Sequence, residues 1–228
     1  MRNYRLLLPH LAVIAPANPD PGMWYPNCAV YAIFDAETLV LVDCGNHFAT
    51  DSLDAALAAL GLDTRRERVI VITHCHIDHS CGARVYAERY RILGCTRTAD
   101  ILLHHPNQVL YEEPEIIVPM PIEAFTPGDT LTFGGITLRT VPGPGHTDDS
   151  TIYDTMIDGK RCLFTGDLIM LPGGQLGWPG SMDYSLDKSR ATLAWLAEQT
   201  YDLILTGHNM GGADSGKVFR AAMARIDG

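Results

Sequence analysis

Residues 73–82 read THCHIDHSCG: three histidines, two cysteines and an aspartate in ten residues, directly after the apolar run VIVI. Imidazole and carboxylate are the ligands that borderline divalent ions accept, and catalytic sites leave a coordination position open for water. In an extended loop His74 and His76 point to the same side and can reach one ion, while Asp78 and His79 lie far enough along to serve a second. Two ions would still need closing ligands. Residues of the right types follow in order: His146 in PGPGHTDDS, Asp167 in FTGDL and His208 in LTGH. Asp43, in LVDCG, is a further polar residue placed just past an apolar run. Taken singly, His146 or His208 reads as an ordinary hydrogen-bonded histidine, and Asp167 as a turn or cap residue. The ordered set, with five of the nine histidines in it, points instead to metal binding.

Each of these residues emerges from a strand-like run into a glycine-containing loop, where a rigid scaffold can place chemical groups. Residues 28–35 and 38–43 are expected to be strands joined by a turn at Ala36-Glu37. Residues 51–60 follow as a helix, with Leu53, Leu57 and Leu60 at helical spacing, Thr50 or Asp51 as N-cap and Gly61 as the stop. Residues 69–73 are a short buried strand that delivers the histidine-rich segment. A short helix over 83–89, a strand over 91–93, a helix over 98–104 and an irregular, proline-rich insertion over 105–121 come next. Gly134-Gly135 between runs 130–133 and 136–141 signals a hairpin, and Asp158-Gly159 between 151–157 and 161–165 signals another. The chain closes with a helix over 185–198 capped by Ser185, with Leu186, Leu193 and Leu196 inward, then a buried strand over 202–206 and a helix over 215–226. Strands followed by helices, twice over, imply an α/β protein with two sheets packed face to face and helices outside, in one domain over 1–228.

Composition bounds the partners. Hydrophobic residues are 46% and charged residues 19% of the 228, enough for a buried core. The net charge is −10, lysine supplies only three of seventeen basic residues, and no basic run tracks a phosphate backbone, so nucleic acid is not an expected partner. The N-terminal residues lack a signal-peptide body, and no segment approaches the roughly 20 apolar residues that span a bilayer. A cytoplasmic protein with no membrane partner is expected; self-association is left open. The six scattered cysteines form no CxxC pair and read as small buried hydrophobes.

HCHIDH, followed in order by GH at His146, GD at Asp167 and GH at His208, resembles the metallo-β-lactamase fold superfamily; LVDCG and NCAVY match its N-terminal pattern. The resemblance spans 27–208. It implies a four-layer αββα sandwich, one ion on His74, His76 and His146, a second on Asp78, His79 and His208, and Asp167 bridging both, with Asp43 in support. Cys75, alternating with its histidine neighbours, then faces away, and Cys81 follows the last ligand. β-Lactamases of the superfamily generally carry a cysteine near position 167 or lack the bridging aspartate; this ligand set is instead similar to the glyoxalase II and lactonase branches.

The chemistry so implied is hydrolysis by a hydroxide shared between two divalent ions, zinc first, iron or manganese as alternatives, attacking a small-molecule lactone, ester, thioester or amide, with Asp78 moving a proton to the leaving group. Candidate pocket walls are Met23-Trp24-Tyr25, His104 and His105, and the loop 171–184 with Trp178, Met182 and Tyr184. Only twenty residues follow His208, against the helical extension that glyoxalase II proteins use for glutathione, which disfavours that activity. A mononuclear iron persulfide dioxygenase is the alternative; a noncatalytic module or a phosphodiesterase ranks lower.

Overall fold

The computed structural model describes residues 2–16, 27–105, 120, 122–180, 183–208 and 215–227. Seven strands form a first sheet in chain order: β1 (Tyr4–Leu8), β2 (Leu11–Ile14), β3 (Val30–Phe34), β4 (Thr38–Val42), β5 (Glu67–Val71), β6 (Arg91–Cys95) and β7 (Glu123–Phe125). The first four pair as an antiparallel meander, and β4 to β7 are parallel. The second sheet contains β8 (Thr130–Phe133), β9 (Ile136–Pro142), β10 (Thr151–Ile157), β11 (Lys160–Gly166) and β14 (Leu203–Thr206), ordered β14-β11-β10-β9-β8. A two-stranded ribbon, β12 (Ile169–Met170) with β13 (Gln175–Leu176), follows β11.

Side chains alternate across each strand, so the apolar runs divide between two faces. Val40, Val42, Val69 and Val71 turn inward and meet Leu138, Tyr153, Phe164 and Leu205 of the other sheet. Leu39, Leu41, Ile70 and Ile72 turn outward, where α1 (Thr50–Ala59) and α4 (Thr96–His104) cover them with Leu53, Leu57, Ile101 and Leu102. On the far side Ile152, Leu163 and Ile204 pack under α5 (Leu186–Ala197) and α6 (Ser215–Asp227). Three apolar layers between four layers of structure are the αββα sandwich expected from the sequence.

Several elements differ from the sequence expectations. The β1–β2 hairpin was not anticipated, because its strands are four or five residues long and turn at Pro9-His10. The three-residue β7 and the ribbon were also too short to carry a periodic signal. Neither Thr50 nor Asp51 caps α1; a 3-10 turn, His47–Ala49, runs into it, capped by the Asn46 side chain accepting from Phe48 N. Leu186 faces solvent at 47% exposure, whereas Leu193 and Leu196 are buried, because Leu186 sits at the first position after the Ser185 cap. Met23, Trp24, Tyr25, Met182 and most of the proline-rich insertion lie outside the described residues. Among the described residues no helix is long and apolar enough to cross a membrane.

The parallel pairing of β4 and β5 brings Asp43 and Thr73-His74 to one edge, and the parallel pairing of β11 and β14 brings Asp167 and His208 to an edge of the second sheet. Four bonds tie the two edges together: Ala29 N to Gly207 O at 2.6 Å, Thr151 N to Thr73 O at 2.7 Å, Tyr31 Oη to Thr206 O at 2.8 Å and Tyr153 Oη to Ile72 O at 2.6 Å. The loops that leave these strands therefore start from fixed positions.

Candidate metal centre

The histidine-rich segment is not extended throughout. After His76 the chain turns into a single helical turn, α2 (Ile77–Ser80), whose first amides at His79 and Ser80 fold back onto His76 O, and a second short turn, α3 (Ala83–Tyr86), follows it. His74 and His76 thus project from the loop, and Asp78 and His79 from the turn beside it. Cys75 packs into the outer core, opposite its neighbours.

All seven residues singled out in the sequence converge. His76 Nδ1 lies 3.1 Å from His74 Nε2 and 3.0 Å from His146 Nε2. Asp78 Oδ2 lies 3.2 Å from His208 Nε2 and 3.5 Å from His79 Nε2. Asp167 stands between the two groups, with Oδ1 3.4 Å from His79 Nε2, Oδ2 3.0 Å from His208 Nε2 and Oδ2 3.8 Å from His146 Nε2. In each of the trios His74/His76/His146 and Asp78/His79/His208 the donor atoms lie within 4.8 Å of one another.

Two observations fit this donor set to divalent ions. Nitrogens placed 2.0–2.1 Å from a tetrahedral ion are about 3.3 Å apart, close to the spacing in the three-histidine group. His79 Nε2 and Asp167 Oδ1 are buried and lack hydrogen-bond partners although they face each other. Buried polar atoms left in that state need another ligand to satisfy them.

Asp43 braces this arrangement from below. Its backbone is left-handed, with φ 61°, a conformation that short polar side chains tolerate better than most. Its carboxylate accepts from Thr73 N at 2.7 Å and Thr73 Oγ1 at 2.8 Å, and lies 2.8 Å from His79 Nδ1. A carboxylate on the outer nitrogen fixes the imidazole and aims the other nitrogen at the centre. Cys28, Asp43 and His79 also form a compact trio. His79 already has one nitrogen on Asp43 and the other toward Asp78 and Asp167, and burial, aided by Asp43 and Asp78, pushes the Cys28 thiol well up. Cys28 therefore packs as a neutral thiol.

The electrostatics divide the centre in two. Burial drives His146 down to about 4 and His74 well below the ordinary imidazole range, and it lowers His76 despite Asp78 and Asp167 nearby. Burial also disfavours charge on His208 and His79, but the adjacent carboxylates prevail: Asp167 and Asp78 raise His208 to about 10, and Asp78, Asp167 and Asp43 hold His79 well above its usual value. Burial opposes ionisation of Asp167 as well, yet His79 and His208 keep it well below the ordinary carboxylate range. One half is neutral imidazoles; the other is imidazolium and carboxylate.

Glycines let loops touch this centre. A Cβ on Gly207 would lie 2.0 Å from Asp167 Oδ1, and one on Gly177 would lie 1.9 Å from Asp167 O and 3.0 Å from His146 Nδ1. Trp178, next in the chain, is 44% exposed. Tyr184 is half-buried between Asp183, which accepts from Asp148 N, and Ser185, which bonds Gly145 O. His104 and His105 are exposed at the far end of α4, roughly 13 Å of helix from the end that contacts Asp149, and are not brought to the centre. Asp149 and Gly177 carry no sequence mark of their place near the centre: the first is a loop aspartate three residues after His146, the second one of several loop glycines.

The sequence profile of the metallo-beta-lactamase superfamily matches residues 23–208. The chain belongs to that superfamily. Among curated proteins it is similar to the thioesterase pkgB of Emericella nidulans, with 26% identity over 191 residues, 83% of this chain and 48% of that one. It is also similar to the hydroxyacylglutathione hydrolase of Hahella chejuensis, with 31% identity over 153 residues, 64% of this chain and 52% of that one. The chain spans about half the length of these relatives. Among solved structures, BJP-1, a subclass B3 metallo-beta-lactamase of Bradyrhizobium japonicum, superimposes with a TM-score of 0.72 over 97% of this chain and 90% of that one, at 21% identity, a likeness of fold.

Proposed function

We propose that the chain is a dinuclear metal-dependent hydrolase acting on a small carbonyl substrate, with thioesters first, then esters, lactones and amides. The observation that carries this reading is the meeting of two donor trios around one shared carboxylate, Asp167. His74, His76 and His146 would hold one ion, Asp78, His79 and His208 the other, with Asp167 spanning the two. Zinc is the ion such nitrogen and oxygen donors suit best, with iron or manganese next. Bound there, the ions would supply Lewis acidity and bring the pKa of a water molecule toward neutrality.

The protein residues contribute orientation and proton handling. Asp43 sets His79, and Gly207 leaves room for Asp167. Asp78 is more accessible than Asp167, its side chain 13% exposed against 7%, so it is the carboxylate placed to carry a proton toward a departing group. Trp178, beside the loop that presses on Asp167 and His146, offers an aromatic wall for an apolar acyl chain. The relatives named as a thioesterase and as a hydroxyacylglutathione hydrolase support placing thioesters first.

The test is metal analysis of protein purified without added metal, followed by a panel of thioesters, esters, lactones, β-lactams and phosphodiesters. Zinc-dependent turnover of acyl substrates is expected. Turnover of phosphodiesters alone, or a single iron with sulfur-dependent oxygen uptake, would overturn the reading.

A further inference from the structure

Asp149 is 1% exposed and three residues beyond His146, yet its carboxylate bonds two other segments of the chain. Its Oδ2 accepts from Cys75 N at 2.8 Å, the amide between His74 and His76, and from Thr98 Oγ1 of α4 at 2.8 Å. Its main-chain oxygen accepts from Cys95 Sγ at 3.3 Å. The loop that bears it is closed on itself by Thr147 Oγ1 and Ser150 Oγ at 2.7 Å and by Gly143 N to Ser150 O at 2.9 Å, and is anchored by Thr151 N to Thr73 O at 2.7 Å.

A buried aspartate near a helix start is usually a cap. Here the Thr98 amide is met by Cys95 Sγ at 3.4 Å, so Asp149 is free to take the Thr98 hydroxyl and the Cys75 amide instead. We infer that Asp149 is the positioning residue of the three-histidine cluster, joining the peptide between His74 and His76 to the loop that carries His146.

The division of labour in the centre follows from this. Asp43 holds the outer nitrogen of His79, whereas Asp149 bonds the segment that joins His74 to His76 and shares a loop with His146. Without the Asp149 acceptor, the Cys75 amide would be a buried donor with no partner, and the loop would move to satisfy it. The three nitrogens would then lose their common focus, while His79 keeps its bond to Asp43 and the Asp78/His79/His208 group feels the shift only through the α2 amides on His76 O.

The inference rests on the three-histidine ion site proposed above, and one experiment separates the two. The ion-free full chain is titrated with cobalt(II), and its absorption bands are assigned to the two clusters with His146→Ala and His208→Ala references. Wild type is expected to show a band that His146→Ala abolishes; if it does not, the ion site itself fails. Asp149→Ala is expected to weaken that site by about 10–100-fold, the usual effect of removing an outer-shell partner, and to leave the Asp78/His79/His208 site within about twofold. Asp149→Asn, which keeps the acceptor oxygen, should restore binding to within a few-fold of wild type. Should Asp149→Ala not fold, Thr98→Val, which removes one of the two donors on that oxygen, should weaken the three-histidine site alone. Unchanged cobalt binding in these variants, equal weakening of both sites, or an Asp149→Asn chain as poor as Asp149→Ala would overturn the assignment.

Discussion

At neutral pH the two halves of the centre hold different numbers of protons, so loading each with zinc should release protons from one half only. His146 titrates at about 4 and His74 and His76 are lowered, so these imidazoles are already neutral and present lone pairs. His208 titrates at about 10, so near pH 7 only about one molecule in a thousand has it neutral, and His79 is raised as well. An ion entering the acidic half must displace both protons, so its apparent affinity should climb about 100-fold per pH unit, while that of the three-histidine half stays flat. The assay is calorimetric zinc titration of His146→Ala and His208→Ala in two buffers of different ionisation enthalpy. About two protons released per ion in the first, and about none in the second, are expected. Equal release from both would refute the electrostatic division. The ion-free fold should respond in the same sense. His208 is raised, so its contribution is fully present below about pH 6.5 and is lost as pH rises through about 10; His146 is depressed, so its contribution is present above about 6.5 and is lost as pH falls through about 4.

Other substitutions probe the supports. Gly207→Ala would put a methyl 2.0 Å from Asp167 Oδ1, and it should cut metal content and turnover at least tenfold without removing any ligand, as read by metal analysis beside a melting curve. Trp178→Ala should raise KM for long-chain acyl substrates several-fold and leave metal content and kcat for short ones unchanged. Cys75→Ala should retain full metal content and activity at a cost of about 1 kcal/mol in unfolding free energy, because the thiol lies in the outer core and not among the donors.

The sequence was most informative where residue type and position coincided. His74, His76, Asp78, His79, His146, Asp167 and His208 each follow a strand end; parallel pairing of β4 with β5 and of β11 with β14 places all of them but His146, which lies on the connection between antiparallel β9 and β10, and backbone and tyrosine bonds join the two sheets there. Strands followed by helices, twice over, likewise pointed to a layered core. Less legible were features that depend on a distant partner. Asp149 reads locally as a loop residue; only the approach of Cys75, 74 positions away in sequence, makes it a clamp. Gly177 has no local mark that separates it from other glycines until Asp167 O is seen against it. The helical turn at Ile77–Ser80 is a single turn that sets the aim of Asp78 and His79, too short for periodicity to reveal.

The most direct test of the two-ion centre is to count zinc by native mass spectrometry in the ion-free chain after titration, for wild type, His146→Ala and His208→Ala. Two ions in wild type and one in each variant are expected. A single ion in wild type, abolished by either substitution, would contradict the account.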